Sequence, residues 1–361
     1  MTDHVSEFPV NTKPALASLT QVLLTVLILS SCGGGSGGNS SLDQPATAAA
    51  NPETNNTSAG DTPVINSQPV CQEYESENAV TETQTQTPAN LKRCTLRHGG
   101  LDRVFYLYVP GAYPSSIDSL PLLFSLHGYT SNALTHLSYA GFGSLASSEG
   151  FIVVYPQGSI LQSTGSTHWN VGGWTDSSTT NDVNFIETMI DYLTAEFRID
   201  TDRIYSTGMS NGGFMSYRLA CDLGDKIAAV ASVTGSMTPE TFRSCNPGRP
   251  KPVMQIHGSL DNTVPYEGNS GMKPIQDVME YWSVTNRCDT SPDIDPIPDL
   301  TADGFAGIKT QYKNCQNEVA VTLYLLDRMG HEWPLSGAHD IDAPSTIWQF
   351  LSKYNRYGLI Q

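Results

Sequence analysis

From about Asn90 onward, short continuous apolar runs alternate with segments whose apolar residues recur every three or four positions. Residues 104–109, 121–126, 151–155, 203–206, 228–232, 252–256 and 319–324 are rich in β-branched and aromatic side chains and read as strands. Between them lie helical patterns. Over residues 182–197 the apolar positions Val183, Ile186, Ile190, Leu193 and Phe197 fall on one face, with Asn181 or Asp182 as the N-cap. Residues 275–282 and 343–354 show the same periodicity. Strands that are apolar throughout are buried on both faces, so the alternation predicts an α/β fold: a mostly parallel central sheet with helices on both faces. No internal repeat interrupts it.

The first seventy residues follow a different pattern. Residues 15–31 form an uncharged apolar run, short for a membrane span, ending in Leu29-Ser30-Ser31-Cys32. That ending resembles a bacterial lipobox, in which the cysteine is lipidated and becomes the mature N-terminus. Asp3 and Glu7 in the leading segment are unusual for such a signal. Residues 33–70 are rich in Gly, Ser, Asn, Thr, Pro and Ala without apolar periodicity, which predicts a flexible tether. The run Gly33-Gly34-Gly35-Ser36-Gly37-Gly38 matches both a dinucleotide-binding and a Gly-x-Ser-x-Gly pattern. It lacks the strand before and helix after that either needs. The expected organisation is therefore a lipoprotein signal peptide at 1–31, a tether at 32–70 and a catalytic domain at 71–361. The expected location is a membrane-anchored site in the bacterial envelope or at the cell surface, with Cys32 the only membrane contact and release outside the cell as the alternative.

Export changes how the cysteines are read. Beyond Cys32 the chain holds Cys71, Cys94, Cys221, Cys245, Cys288 and Cys315, an even set that suggests disulfides in an oxidising compartment. Six cysteines do not define their own pairing; local spacing favours three sequential loops, Cys71–Cys94, Cys221–Cys245 and Cys288–Cys315. The formal net charge of -17 disfavours nucleic acid and anionic polymers as partners and favours neutral substrates.

Candidate chemistry starts at Gly208-Met209-Ser210-Asn211-Gly212, which follows the strand at 203–206 and precedes a helical segment through Tyr217 and Cys221. A serine on a sharp strand-to-helix turn flanked by glycines is a nucleophile elbow. A serine hydroxyl needs a base, and the base an orienting acid, in the chain order Ser, Asp or Glu, His. Asp261, just past the strand at 252–256, fits the acid. His331, in Gly330-His331-Glu332-Trp333-Pro334 after the strand at 319–324, fits the base; His339 is its nearest rival. His331-Glu332 lacks the second histidine of a zinc motif, and neither metal nor cofactor is expected. The oxyanion hole would take backbone N–H groups from Asn211 and from Tyr129, in the turn after residues 121–126. His127, which precedes that turn, is read as structural. Tyr129, Trp169, Trp174 and Trp333 stand in candidate active-site loops, and Tyr129, Trp169 and Trp333 are the expected substrate-binding residues. The loop 169–181, rich in Gly, Ser and Thr, is a candidate flap.

The segments Ser125-Leu126-His127-Gly128, Val154-Tyr155-Pro156-Gln157-Gly158, Asn181-Asp182-Val183, Thr207-Gly208-Met209-Ser210-Asn211-Gly212-Gly213 and Gly330-His331-Glu332-Trp333-Pro334 occur in order across residues 93–354. Together they resemble the polyhydroxybutyrate depolymerase and feruloyl esterase family of extracellular α/β-hydrolases. The resemblance implies the α/β-hydrolase fold and the triad Ser210, His331 and Asp261. It also implies a serine carboxylic ester hydrolase working through an acyl-enzyme on neutral esters, such as hydroxybutyrate oligomers or feruloyl-type phenolic esters. Glu332 stands where the family often has Thr. Because fold does not decide function, an acyltransferase or peptidase on the same fold and a non-catalytic surface-binding lipoprotein are the alternative readings.

Overall fold

The computed structural model describes residues 68–74, 90–115 and 117–361, which fall in one compact unit. The expected signal peptide, Cys32 and nearly all of the tether lie outside the described residues. Regular structure opens with β1 (Val70–Glu73), β2 (Leu91–His98), β3 (Leu101–Tyr108) and β4 (Leu120–Leu126). Helices α1 (Ala133–Ala140) and α2 (Phe142–Glu149) precede β5 (Ile152–Pro156) and a hairpin of β6 (Ser159–Leu161) and β7 (Ser166–His168). Then come α3 (Asp182–Glu196), β8 (Ile199–Met209), α4 (Asn211–Asp222), β9 (Ala229–Val233), α5 (Pro239–Ser244), β10 (Val253–Gly258) and α6 (Ile275–Thr285). The chain closes with β11 (Asp293–Pro296), β12 (Gly307–Tyr312), β13 (Val321–Leu326), α7 (Ala343–Leu351), β14 (Tyr354–Asn355) and β15 (Gly358–Leu359).

One sheet organises the unit, in the order β1-β2-β3-β5-β4-β8-β9-β10-β13-β12-β11. From β5 to β13 every neighbouring pair is parallel, which is the predicted core. The flanks β1-β2-β3 and β12-β11 are antiparallel additions. Each core strand is apolar on both faces because both are covered. In β4, Leu122, Phe124 and Leu126 pack with Phe185 and Ile186 of α3 and with Phe214 of α4. Leu123, pointing the other way, packs with Ala133 of α1, Phe142 of α2 and Ile347 of α7. The described fold is thus the α/β-hydrolase arrangement that the alternation implies, with helices on both faces.

Helix ends follow local chemistry. Asn181, not Asp182, caps α3, its side chain accepting from the Asn184 N–H at 3.0 Å. Helix α7 stops at Leu351, short of the expected Tyr354, which instead begins β14. All three expected disulfides are present: Cys71–Cys94, Cys221–Cys245 and Cys288–Cys315. The first staples β1 to β2 across a register pair, the second ties the last turn of α4 to the C-cap of α5, and the third joins the segment just after α6 to the segment just after β12. Such bridges fit an oxidising compartment. Among the described residues no helix is long and apolar enough to cross a membrane.

Candidate active site

Parallel strands end together on one edge of a sheet, and loops at that edge carry the chemistry of open α/β folds. Here β4 leads into 127–129, β8 into Ser210, β10 into Asp261 and β13 into His331. Ser210 has φ 55° and ψ −121°, a left-handed strained conformation for a residue with a side chain. Its N–H donates to the Val233 carbonyl at 2.8 Å, and its carbonyl accepts from Phe214 N–H at 3.0 Å, so strand becomes helix within one residue. The flanking glycines are required by space. A Cβ on Gly208 would lie 2.6 Å from the Gly212 carbonyl carbon and 2.7 Å from the Leu126 oxygen, and a Cβ on Gly212 would collide with the carbonyls of Leu126 and His127. This is the elbow that the motif implies.

Asp261 and His331 meet although seventy residues separate them: the His331 Nδ1–H donates to Asp261 Oδ2 at 2.8 Å. The close approach of the end of β10 to the turn after β13, which leads into His331, depends on Gly258, where a Cβ would strike the Met329 carbonyl. Asp261 is buried, and its Oδ1 accepts from the N–H groups of Thr263 (2.9 Å) and Val264 (2.8 Å). Burial by itself would raise its carboxyl. The hydrogen bonds from His331 and from the Val264 N–H outweigh burial and hold it below the usual carboxylate range. With the Nδ1 proton directed at Asp261, His331 Nε2 carries a free lone pair. The rival His339 bonds Glu332 instead, at 2.9 Å.

The pattern of residue types did not single out His257. It sits 3.7 Å from Asp261 Oδ2, its Nε2 hydrogen-bonded to the Val264 carbonyl at 2.8 Å and its Nδ1 to the Gln255 amide at 3.0 Å. Burial lowers this imidazole below its ordinary value, so it supports the acid as a neutral ring. Its place four residues before Asp261 was the available signal.

The two expected oxyanion donors lie on adjoining turns. Helix α4 starts at Asn211, whose N–H has no intrahelical acceptor. Gly128 packs against Ser210: a Cβ there would be 3.4 Å from Ser210 Cβ and 4.0 Å from its Oγ. His127 is structural, as expected, with Nε2 accepting from the Gly158 N–H at 2.9 Å.

The aromatic residues divide. Tyr129 is half-buried, its ring edge-to-face with Trp174 at 5.7 Å and its hydroxyl donating to Thr164 at 2.6 Å. Trp174 in turn meets Phe214 at 6.0 Å. Trp333 is largely buried against His136, Tyr139 and Phe142. Trp169 corrects the expectation of a pocket residue. It is fully buried, its indole N–H donates to the His127 carbonyl at 2.9 Å, and no face is left for substrate. The candidate flap 169–181 is also heavily tied down. Asp182, in a buried ion pair with Arg103 at 2.7 Å, accepts from the Asn170 N–H at 2.8 Å. The Val171 carbonyl accepts from Thr238 and Thr241, and Arg218 donates to the Asn170 carbonyl. Glycine and serine content suggested mobility because sequence does not show these partners.

Residues 103–265 match the family model described as esterase PHB depolymerase. Over 263 residues, 73% of this chain and 35% of the relative, the sequence is 29% identical to the bifunctional acetylxylan esterase/xylanase XynS20E of Neocallimastix patriciarum. Over 222 residues, 58% of this chain and 39% of the relative, it is 30% identical to feruloyl esterase B of Piromyces equi. The chain thus spans little more than a third of the length of either relative. Among solved structures, the acetyl xylan esterase from Aspergillus awamori superposes with a TM-score of 0.53 at 16% identity, covering 69% of this chain and 94% of that one, a likeness that shows the fold.

Proposed function

We propose that this chain, which over residues 103–265 belongs to the esterase PHB depolymerase family, is a serine carboxylic ester hydrolase with the triad Ser210, His331 and Asp261. The observation that carries the reading is the 2.8 Å hydrogen bond from His331 to a buried Asp261, on the same sheet edge as a serine held on a strained elbow. Ser210 Oγ attacks the ester carbonyl while His331 Nε2 takes its proton. The N–H groups of Asn211 and Tyr129 receive the developing oxyanion. The imidazolium, stabilised by the Asp261 carboxylate, returns the proton to the departing alcohol. Water activated by the same imidazole then cleaves the acyl-enzyme and restores Ser210.

The substrate is a neutral ester with a compact acyl group, a hydroxyalkanoate oligomer or a phenolic or acetyl ester. The net charge of -17 disfavours anionic polymers. Tyr129 and Trp174, both partly exposed, supply apolar surface beside Phe214 of α4, whereas Trp333 is largely buried. Relatives named for acetylxylan and feruloyl ester cleavage support the same range. Purified protein is assayed for acid release from hydroxybutyrate oligomers, methyl ferulate and an aryl acetate, alongside Ser210→Ala and fluorophosphonate labelling. Activity retained in Ser210→Ala refutes the assignment; transfer of the acyl group to an added alcohol in place of acid release makes it a transferase. Cys32 is the proposed lipid anchor and residues 32–70 the tether carrying domain 71–361. Cys32→Ser releases soluble enzyme on this reading, and unchanged membrane retention overturns it.

A further inference from the structure

Trp169 connects the two turns that supply the proposed oxyanion hole. Its main chain and the Asn211 carboxamide form a reciprocal pair: Trp169 N–H donates to Asn211 Oδ1 at 2.6 Å, and Asn211 Nδ2 donates to the Trp169 carbonyl at 3.1 Å. Its indole N–H donates to the His127 carbonyl at 2.9 Å, two residues before Tyr129. Both partners are fully buried, so neither contact competes with water. The grip is anchored on the far side as well. Asn170 N–H donates to Asp182, which is paired with Arg103, and the Asn170 carbonyl accepts from Arg218 at 2.7 Å. On the near side His127 is held by Gly158 N–H, and its ring packs on the Trp169 ring with centroids 5.1 Å apart.

The consequence is geometric. An oxyanion hole works when two donors are held at a set separation and need no rearrangement as charge develops. Asn211 belongs to α4 and Tyr129 to the turn after β4, and these elements contact each other through Gly212, which has no side chain to lock them. We infer that Trp169 is a positioning residue that sets the separation of the Asn211 and Tyr129 N–H groups, acting through the Asn211 side chain and the His127 carbonyl. The inference rests on the hydrolase reading above.

Two variants test it. Trp169→Phe keeps an aromatic ring and removes the bond to His127; Asn211→Ala keeps the whole indole and removes both bonds to the Trp169 main chain. In each, kcat/KM on an aryl acetate falls about 10- to 100-fold, carried by kcat with KM little changed, because the loss is confined to the transition state. The inhibition constant of phenylboronic acid, whose boron takes the Ser210 oxygen to form a tetrahedral anion, rises in parallel. The double variant loses less than the product of the single losses, since both cut one staple. A purely structural tryptophan lowers the melting temperature but leaves kcat and boronate inhibition of the folded protein unchanged, and that result overturns the inference. Should Trp169→Phe fail to fold, Asn211→Ala decides. Activity in Ser210→Ala sinks the hydrolase reading itself; an inactive Ser210→Ala beside unimpaired Trp169→Phe and Asn211→Ala sinks only the staple.

Discussion

The buried histidines around the elbow make acid stability a sensitive test of the packing. His127 accepts from Gly158 N–H and also bonds the Gly128 carbonyl; His136 lies between Ser125 Oγ at 2.9 Å and the Tyr139 hydroxyl at 2.8 Å. Burial lowers His127 to about 4, against the opposing pull of the Gly128 carbonyl, and lowers His136 to about 3, with His127 pushing the same way. In the unfolded chain both titrate near 6.5. Between about pH 6.5 and 4 the unfolded chain therefore binds more protons than the folded one, and stability present above pH 6.5 is lost as the pH falls. Each bound proton contributes about 1.4 kcal/mol per pH unit, so these two residues remove about 3.5 kcal/mol between pH 7 and 5. That is a large fraction of a typical stability of about 5–15 kcal/mol. His257, also lowered by burial, adds in the same sense. Urea unfolding at pH 7, 6 and 5, followed by tryptophan fluorescence at constant ionic strength with disulfides intact, measures the slope. His136→Gln keeps a polar group opposite Ser125 and removes one titration, and its slope should be shallower by about one proton. A wild-type stability that changes by less than about 1 kcal/mol from pH 7 to 5, or a variant slope equal to wild type, refutes the claim that these rings are held neutral.

Other outcomes follow from single contacts. Gly208→Ala places a methyl against the Gly212 and Leu126 backbones, where no side chain can yield, and should cost about 3 kcal/mol or more in chemical denaturation, as overpacking does. Asp182→Asn strands the buried Arg103 charge and should cost about 3–5 kcal/mol; a smaller loss in Arg103→Met/Asp182→Leu than in Asp182→Asn would show that the unpaired charge carries the cost. Replacing Cys288 and Cys315 together by serine frees a 27-residue separation and should cost about 3.5 kcal/mol by loop entropy; peptide mapping without reduction should recover the linked pair from wild type. Tyr129→Ala should raise KM for methyl ferulate more than for an aryl acetate, because a feruloyl acyl group offers the Tyr129–Trp174 pair more apolar surface than an acetyl group does; equal effects on both would remove this wall from the substrate site.

Much of this arrangement was legible in residue order. Apolar runs such as 121–126 and 252–256 could be buried on both faces only as inner strands of a covered sheet, so the α/β class followed from local pattern. The spacing Gly208-Met209-Ser210-Asn211-Gly212 marked a tight turn because only glycine tolerates the neighbouring carbonyls. Sequential spacing also anticipated the three disulfides, each of which joins cysteines 23 to 27 residues apart. Tertiary structure alone decided the rest. Apolar periodicity says which face of a strand is buried but not which strand lies beside it, so the order β5-β4-β8 and the antiparallel flanks emerge only in the folded sheet. Composition made 169–181 look like a mobile flap and Trp169 a pocket residue. The partners that bury them come from the turn after β4 (His127), the start of α3 (Asp182), α4 (Asn211 and Arg218) and the N-cap of α5 (Thr238). Whether a polar group is free or held depends on which distant donors and acceptors folding delivers to it, and that is a property of three-dimensional neighbours that no local window of residues contains.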